Sequence, residues 1–324
     1  MSNNCSFCVF VDDAYYYDFV ALYNSWKYYE HKVPLKVYFH KNISEKKAKK
    51  ISKVCETIKI DKPDNIEGSI YYGKQTFKYY ALLKHMDEYQ ILLDADTIFL
   101  SNTDWLFNLI KAGALTGATE VDALYDYKYY HKTVEEFQLE KDKIEKHLGS
   151  DLVKDFNIDI TFKVFNGGFL GFSKEKHSFL LDKTIRILWD HPKPYVNPIF
   201  DNEQFMVSFL IKLLKLPTHS LPRQNWMNTW TYHKDPKKII KIENGKFVVY
   251  DEEGNHIKFY HFTGDIGLSY NSKDRSFPCR THQLYESQPW EVKFTRKDIE
   301  YLWYEKHQSP VLLLYEYFAN KGLD

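Results

Sequence analysis

The sequence predicts an α/β protein with a mostly parallel central sheet flanked by helices. Three observations carry that expectation. In the first hundred residues, short apolar runs alternate with longer stretches of helical periodicity, the pattern of parallel strands joined by crossover helices. The run Ile91–Leu93 is apolar without alternation, as a strand covered on both faces must be. The chain has 324 residues, 44% hydrophobic and 27% charged, which suits one large α/β domain or two smaller ones.

Each element follows from its residues. SFCVFV (6–11) reads as a buried strand. In 17–32, Phe19, Val20, Leu22, Tyr23 and Trp26 recur at helical spacing. PLKVYFH (34–40) is a second strand, and the helix after it has Ser44 in the N-cap position. ETIKID (56–61) is a short third strand, GKQTFKYYALLKHMDEY (73–89) a third helix, and QILLDADTIFL (90–100) a strand again. The second half is less regular. Residues 127–149 read as a polar helix with the makings of a lid, and 164–173 as a strand broken by Gly167 and Gly168. Residues 179–189 and 202–214 read as helices, and 245–262 as a hairpin turning at Glu253-Gly254-Asn255. Two helices, RKDIEYLWYEKH and VLLLYEYFANKG, close the chain.

Composition narrows the function. Lys and Arg balance Asp and Glu at 44 each, so there is no electrostatic footprint for duplex nucleic acid. The EKKAKKISK run (45–53) reads as the solvated face of a helix. Cys5, Cys8, Cys55 and Cys279 form no disulfide framework, and no second pair supports Cys5 and Cys8 as a zinc site. Reduced thiols fit a cytosol-like compartment. The start MSNNCSF lacks the basic and apolar regions of a signal peptide, and no run of about 18 apolar residues predicts a membrane span. The expected location is cytoplasmic.

In open α/β sheets, ligands bind beyond the carboxyl ends of the strands. Asp94-Ala95-Asp96, the single D-x-D of the chain, lies where the strand Ile91–Leu93 ends. Two carboxylates there can share a hard divalent cation, which offsets their mutual repulsion. VDDAYYYD (11–18) ends the first strand and should face the same crevice. Tyr15 could stack on a base while Asp12 accepts its hydrogen bonds; equally, Asp12 or Asp13 could cap the next helix. His261 is a candidate third ligand of a kind that suits Mn²⁺. On the residues alone, a satisfied core histidine accounts for it better.

FVDDAYYYDFVALYNSW, LLDADTIFL, FNGGFLGF, NEQF and HFTG occur in an order that resembles the family 8 glycosyltransferases, which include glycogenin and bacterial lipooligosaccharide galactosyltransferases. The resemblance spans about residues 7 to 265. It implies a GT-A fold over residues 1–270 with a helical extension at 271–324, a UDP-sugar donor, Mn²⁺ (with Mg²⁺ as the alternative) and retention of anomeric configuration. Asp94, Asp96 and His261 would hold the metal. The donor would meet Val11, Asp12, Tyr15, Lys78, Asp94, Ala95, Asn166, Gly167 and Gly264, with Asp12 and Tyr15 at the uracil, Lys78 at the sugar, and Asn166 toward sugar and acceptor. Glu203-Gln204 matches an Asp-Gln pair beside the anomeric carbon, and Asp201 stands two residues before it. Glu203 is favoured over Asp201, which is also placed to cap the following helix.

The chain departs from the family at three points. The diphosphate-gripping Lys falls at or near Gly267, with Lys273 or Arg275 as the alternative cation; Glu203 replaces Asp; and Ala14 stands where Asn is common in the base pocket. The acceptor (glycan, lipid-linked or protein) is not legible, and neither is the donor sugar. A nucleotidyltransferase would need a Gly-rich basic loop after the first strand, and VDDAYYYD has neither Gly nor Lys. A Tyr-rich carbohydrate- or partner-binding protein with lost catalysis is the other alternative, against which the intact Asp94, Asp96 and His261 stand.

Overall fold

The structure is a computed structural model and describes residues 4–13, 15–39, 43–61, 70–126, 134–154, 161–189, 203–221, 226–228, 239–261 and 310–323. Among these, β1 (Cys5–Val11), β2 (Leu35–Phe39), β3 (Glu56–Lys59) and β4 (Tyr89–Leu93) alternate with α1 (Tyr16–Tyr28), α2 (Glu45–Ile51) and α3 (Ile70–His85). β5 (Thr97–Phe99), α4 (Leu106–Lys111) and β6 (Leu115–Asp126) follow, then α5 (Val134–Leu148), α6 (Ser150–Val153), β7 (Thr161–Ser173), α7 (Lys174–Trp189) and α8 (Glu203–Leu213). Next come β8 (Thr218–Leu221), β9 (Trp226–Asn228), β10 (Ile239–Glu243), β11 (Lys246–Tyr250), β12 (His256–Ile257), β13 (Phe259–His261) and α9 (Pro310–Ala319).

Seven strands form the central sheet in the order β3-β2-β1-β4-β7-β6-β8. The β1–β2, β2–β3, β1–β4 and β6–β8 pairs are parallel, and β7 runs antiparallel to both β4 and β6. The expected α/β class with a mostly parallel sheet is therefore observed. The chain leaves β1 toward β2 on one side and returns to β4 on the other, so the order reverses between β1 and β4. A crevice opens at the carboxyl ends of strands at such a point.

The pleat of β1 shows how both faces are covered. Phe7, Val9 and Val11 point to one side and join a core with Phe19 and Leu22 of α1, Phe107 and Ile110 of α4, and Leu314 of α9. Cys8 points the other way, into a core with Leu82 of α3, Leu181 of α7 and Leu210 of α8. The C-terminal helix is tied to α1 by Asn24, whose amide donates to the carbonyls of Phe318 (3.0 Å) and Gly322 (2.7 Å). Phe318 lies in the last turn of that helix, where carbonyls have no i+4 donor within the helix, and Gly322 follows its end.

The structure departs from the sequence expectations at several points. QILLDADTIFL is two strands in different sheets, because the chain turns at Asp94–Asp96 and the Thr97 hydroxyl closes the turn onto the Asp94 carbonyl at 2.6 Å. Residues 161–173 form one continuous strand that Gly167 and Gly168 do not break. β6 was not anticipated; its pairing with β7 shifts register twice, so period-2 alternation is blurred. The 245–262 hairpin is present as β11–β12, but Phe259–His261 then crosses to another sheet. Of the helix expected at 127–149, Val134–Leu148 is helical; 127–133 lie outside the described residues, as does the helix expected at RKDIEYLWYEKH.

His177 of α7 is a buried histidine with a measurable consequence. Its Nδ1 accepts the backbone N–H of Ser173 at 2.9 Å, so the ring is held neutral. Burial, reinforced by the Lys176 charge, brings its pKa down from the ordinary histidine value to about 4. The unfolded chain binds more protons between those two values. The stabilisation is thus complete above the unfolded pKa and is lost as pH falls toward 4, by on the order of 3 kcal/mol. His177→Gln keeps an acceptor without the titration. Between about pH 7 and about pH 4, the wild type should lose that much more denaturant stability than the variant. A pH-independent difference would show that His177 does not titrate as a buried neutral ring.

Candidate functional site

The D-x-D turn lies at the β1–β4 reversal, and two neighbouring elements bring it partners. Antiparallel pairing of β13 with β5 sets His261 opposite Thr97, one residue beyond Asp96. The imidazole Nε2 then sits 3.1 Å from Asp96 Oδ1 and 3.7 Å from Asp94 Oδ2. Pairing of β7 with β4 continues past Leu93, with the Asp94 N–H bonded to the Gly168 carbonyl at 3.0 Å. That register lays Asn166, Gly167 and Gly168 beside the acidic turn.

Asp94, Asp96 and His261 each direct one ligand atom into a common space, all within 4.8 Å of one another. Asp96 and His261 are buried, and Asp94 is partly open. Burial disfavours the His261 imidazolium, but the charge and hydrogen bond of Asp96, with the charge of Asp94, overcome it and hold the pKa above the ordinary value. Two carboxylates and an imidazole that converge out of water need a cation or a proton among them. Two hard oxygen donors and one nitrogen fit a divalent ion of the Mn²⁺ type.

Lys78 of α3 reaches the same turn. Its ammonium bonds Asp94 Oδ1 at 3.0 Å and the Gly167 carbonyl at 3.3 Å. Gln204, in the first turn of α8, accepts the Gly167 N–H on Oε1 at 2.9 Å. Ser208, one turn later, links the Gln204 carbonyl (2.6 Å) to the Phe165 N–H (2.8 Å), fastening α8 to β7.

No protein-family model and no curated protein matches the chain. Solved structures do. They include glycosyltransferases. The apo structure of the bifunctional glycosyltransferase WbbM is similar over 82% of this chain and 46% of its own, with 11% identity and a TM-score of 0.48. The apo form of mouse xyloside xylosyltransferase 1 is similar over 80% of this chain and 97% of its own, with 14% identity and a TM-score of 0.45. The chain thus spans less than half the length of the WbbM protein. At these values the likeness carries no argument about chemistry, which rests on the side chains described above.

The remaining expected residues divide as follows. Asp12 Oδ1 accepts the Tyr15 N–H at 3.1 Å, which supports the turn leading into α1. Asp13 instead accepts the Ser44 N–H at 2.8 Å and holds the start of α2. Tyr15 is exposed over the acidic turn, and its hydroxyl is held above the usual pKa by burial of that group and by the charges of Asp96, Asp94, Asp18 and Asp12. Val11 and Ala95 turn their side chains into the core. Asp201, Gly264 and Ala14 lie outside the described residues, and of Glu203 only the backbone, at the start of α8, is described.

Sequence reasoning missed Asp18. It is buried in the first turn of α1 and accepts the Tyr315 hydroxyl from α9. Burial and the Asp96 charge push its carboxyl up to about 7, against the pull of Tyr315. The signal was present as one acid among apolar positions, Tyr16, Phe19, Val20 and Leu22.

Proposed function

We propose that the chain is a metal-dependent glycosyltransferase of GT-A architecture, similar to family 8, that moves a sugar from a UDP-sugar to an acceptor hydroxyl with retention. The convergence of Asp94, Asp96 and His261 carries this reading. These three would hold Mn²⁺, with Mg²⁺ the alternative, and the ion would supply Lewis-acid neutralisation of a bound diphosphate. The catalytic unit would be residues 1–270, with 271–324 packed upon it, in a reducing, cytoplasmic setting.

The chain's own residues supply the remaining terms. Lys78 places a fixed positive charge beside Asp94, where the donor's sugar and phosphate would lie. Tyr15 offers a ring to the base, and Asp12, turned toward the Tyr15 N–H, shapes the loop that carries it. In the transfer, the bond from the anomeric carbon to the phosphate oxygen breaks and a bond to the acceptor oxygen forms on the same face. The acceptor proton passes to the departing phosphate. Positive charge that builds on the sugar is stabilised by a carboxylate or amide oxygen on the opposite face, as in glycoside hydrolysis. Because the Gln204 side-chain oxygen, Oε1, already accepts the Gly167 N–H, this role is assigned to Glu203, with Asp201 as the alternative.

The test is UDP release from UDP-glucose, UDP-galactose, UDP-xylose and UDP-N-acetyl sugars, with and without Mn²⁺. At least one donor should be hydrolysed slowly without acceptor, and only with the metal. Metal-stimulated binding without turnover would point to a carbohydrate-binding protein, and no binding of any donor would remove the glycosyltransferase reading.

A further inference from the structure

We propose that Asn166 is a positioning residue that fixes the tautomer of His261, keeping a ring hydrogen on Nδ1 so that Nε2 is the nitrogen left to a cation shared with Asp94 and Asp96. The inference rests on the reading of those three residues as a cation site, and its logic begins from a donor whose hydrogen is covalently certain. The backbone N–H of Gly168 points at the Asn166 side chain at 2.7 Å, so the atom it meets must be the oxygen, Oδ1. This fixes which way the amide faces. The same Oδ1 lies 3.0 Å from His261 Nδ1. A carbonyl oxygen only accepts, so Nδ1 must donate. Nε2 faces the Asp96 carboxylate at 3.1 Å, so without a cation it too meets an acceptor and carries a hydrogen; a bound cation would replace that hydrogen and leave Nδ1–H as the ring's own.

The surroundings leave the ring little freedom. Asn166 is fully buried and His261 nearly so. The His261 backbone is held on two sides, by Thr97 of β5 and Asn228 of β9. Gly168 presents no side chain to the ring; a Cβ there would lie 2.3 Å from His261 Cε1 and 2.6 Å from Nδ1. The ring is therefore seated against the glycine, with its edge against Asn166. A histidine can ligate through only one nitrogen when the other holds the hydrogen, and the group bonded to that hydrogen chooses which. Asn166, which the family resemblance places toward sugar and acceptor, is assigned instead to the layer behind the ligand.

The test needs no substrate. With ¹⁵N-labelled histidine in the full-length protein loaded with a diamagnetic divalent ion, Zn²⁺, two-bond ¹H–¹⁵N spectra separate protonated from unprotonated ring nitrogens. His261 is assigned by the signals lost in His261→Gln. Nδ1 should be the protonated nitrogen and Nε2 the bare one; a predominant Nε2–H ring overturns the proposal. Asn166→Leu removes the acceptor at similar volume. It should lose the tautomer preference and weaken Mn²⁺ binding, followed by electron paramagnetic resonance, by about 10–100-fold. Asn166→Asp keeps an acceptor and should retain both. A folded Asn166→Leu protein with unchanged tautomer and Mn²⁺ affinity overturns the assignment. Should that variant not fold, the wild-type spectrum and Asn166→Asp still decide. Wild-type protein that binds neither Mn²⁺ nor Zn²⁺ would defeat the cation reading alone; the metal-free spectrum still tests Asn166, because Nδ1 must keep its hydrogen there and a bare Nδ1 overturns the proposal.

Discussion

Asp96→Asn should abolish Mn²⁺ binding while leaving the fold in place. The substitution keeps the shape of the side chain and removes one of the two charges that face His261 Nε2, 3.1 Å away. Affinity for a hard cation depends on anionic oxygen, and a neutral amide is a much poorer donor. A loss of about 100-fold or more is expected, from the same ligand-charge dependence. Asp94→Asn should differ in one respect. Asp94 also pairs with the buried ammonium of Lys78 at 3.0 Å, so losing its charge should lower thermal stability as well as cation affinity. The partial exposure of Asp94 keeps that cost to about 1–2 kcal/mol, below the penalty of breaking a fully buried pair. Calorimetric Mn²⁺ titration beside thermal unfolding of both variants checks the pair of expectations. Mn²⁺ affinity within a few-fold of wild type in Asp96→Asn would remove Asp96 from the site.

These contrasts show which parts of the site were legible in the sequence. The turn at Asp94–Asp96 could be located because β1 to β4 and their helices are written in local periodicity, and the carboxyl end of a strand is a place that chain order alone defines. What joins the turn is non-local. His261 and Asn166 are 95 residues apart, and they meet only because β13 leaves its hairpin to pair with β5 while β7 runs beside β4. Neither crossing has a local signal. The apolar residues on both sides of the Asp pair merge two strands of different sheets into one pattern. The Thr- and Gly-containing β6, with its register shifts, shows no clean alternation at all. For Asp12 the sequence left capping and base recognition level; the structure records the bond to the Tyr15 N–H. The polar partner of Asp18 is Tyr315, 297 residues away, and no window of sequence contains both.

Gly168 is where the fold and the site constrain one another most closely, and Gly168→Ala should have the second large effect. Its φ is not in the left-handed region, so alanine is permitted there by the backbone and the consequence is purely one of space. The new methyl would lie 2.3 Å from His261 Cε1 and 2.9 Å from Asn166 Oδ1, well inside van der Waals contact. Neither neighbour can retreat along its strand, since β13 is held on both edges and β7 is paired with both β4 and β6. The ring must therefore swing away from Asn166 and Asp96, or the strands must part. Overpacking of this kind costs about 1–3 kcal/mol. Cation binding should fall as far as in Asp96→Asn, although no ligand has been altered. Gly171→Ala provides the control. Its methyl would meet Ile110 Cδ1 at 2.5 Å, the far end of a flexible side chain in the apolar core. It should lower the unfolding temperature yet leave Mn²⁺ affinity unchanged. If Gly168→Ala instead keeps its Mn²⁺ affinity and loses only stability, the close seat of His261 against β7 serves packing and not the site.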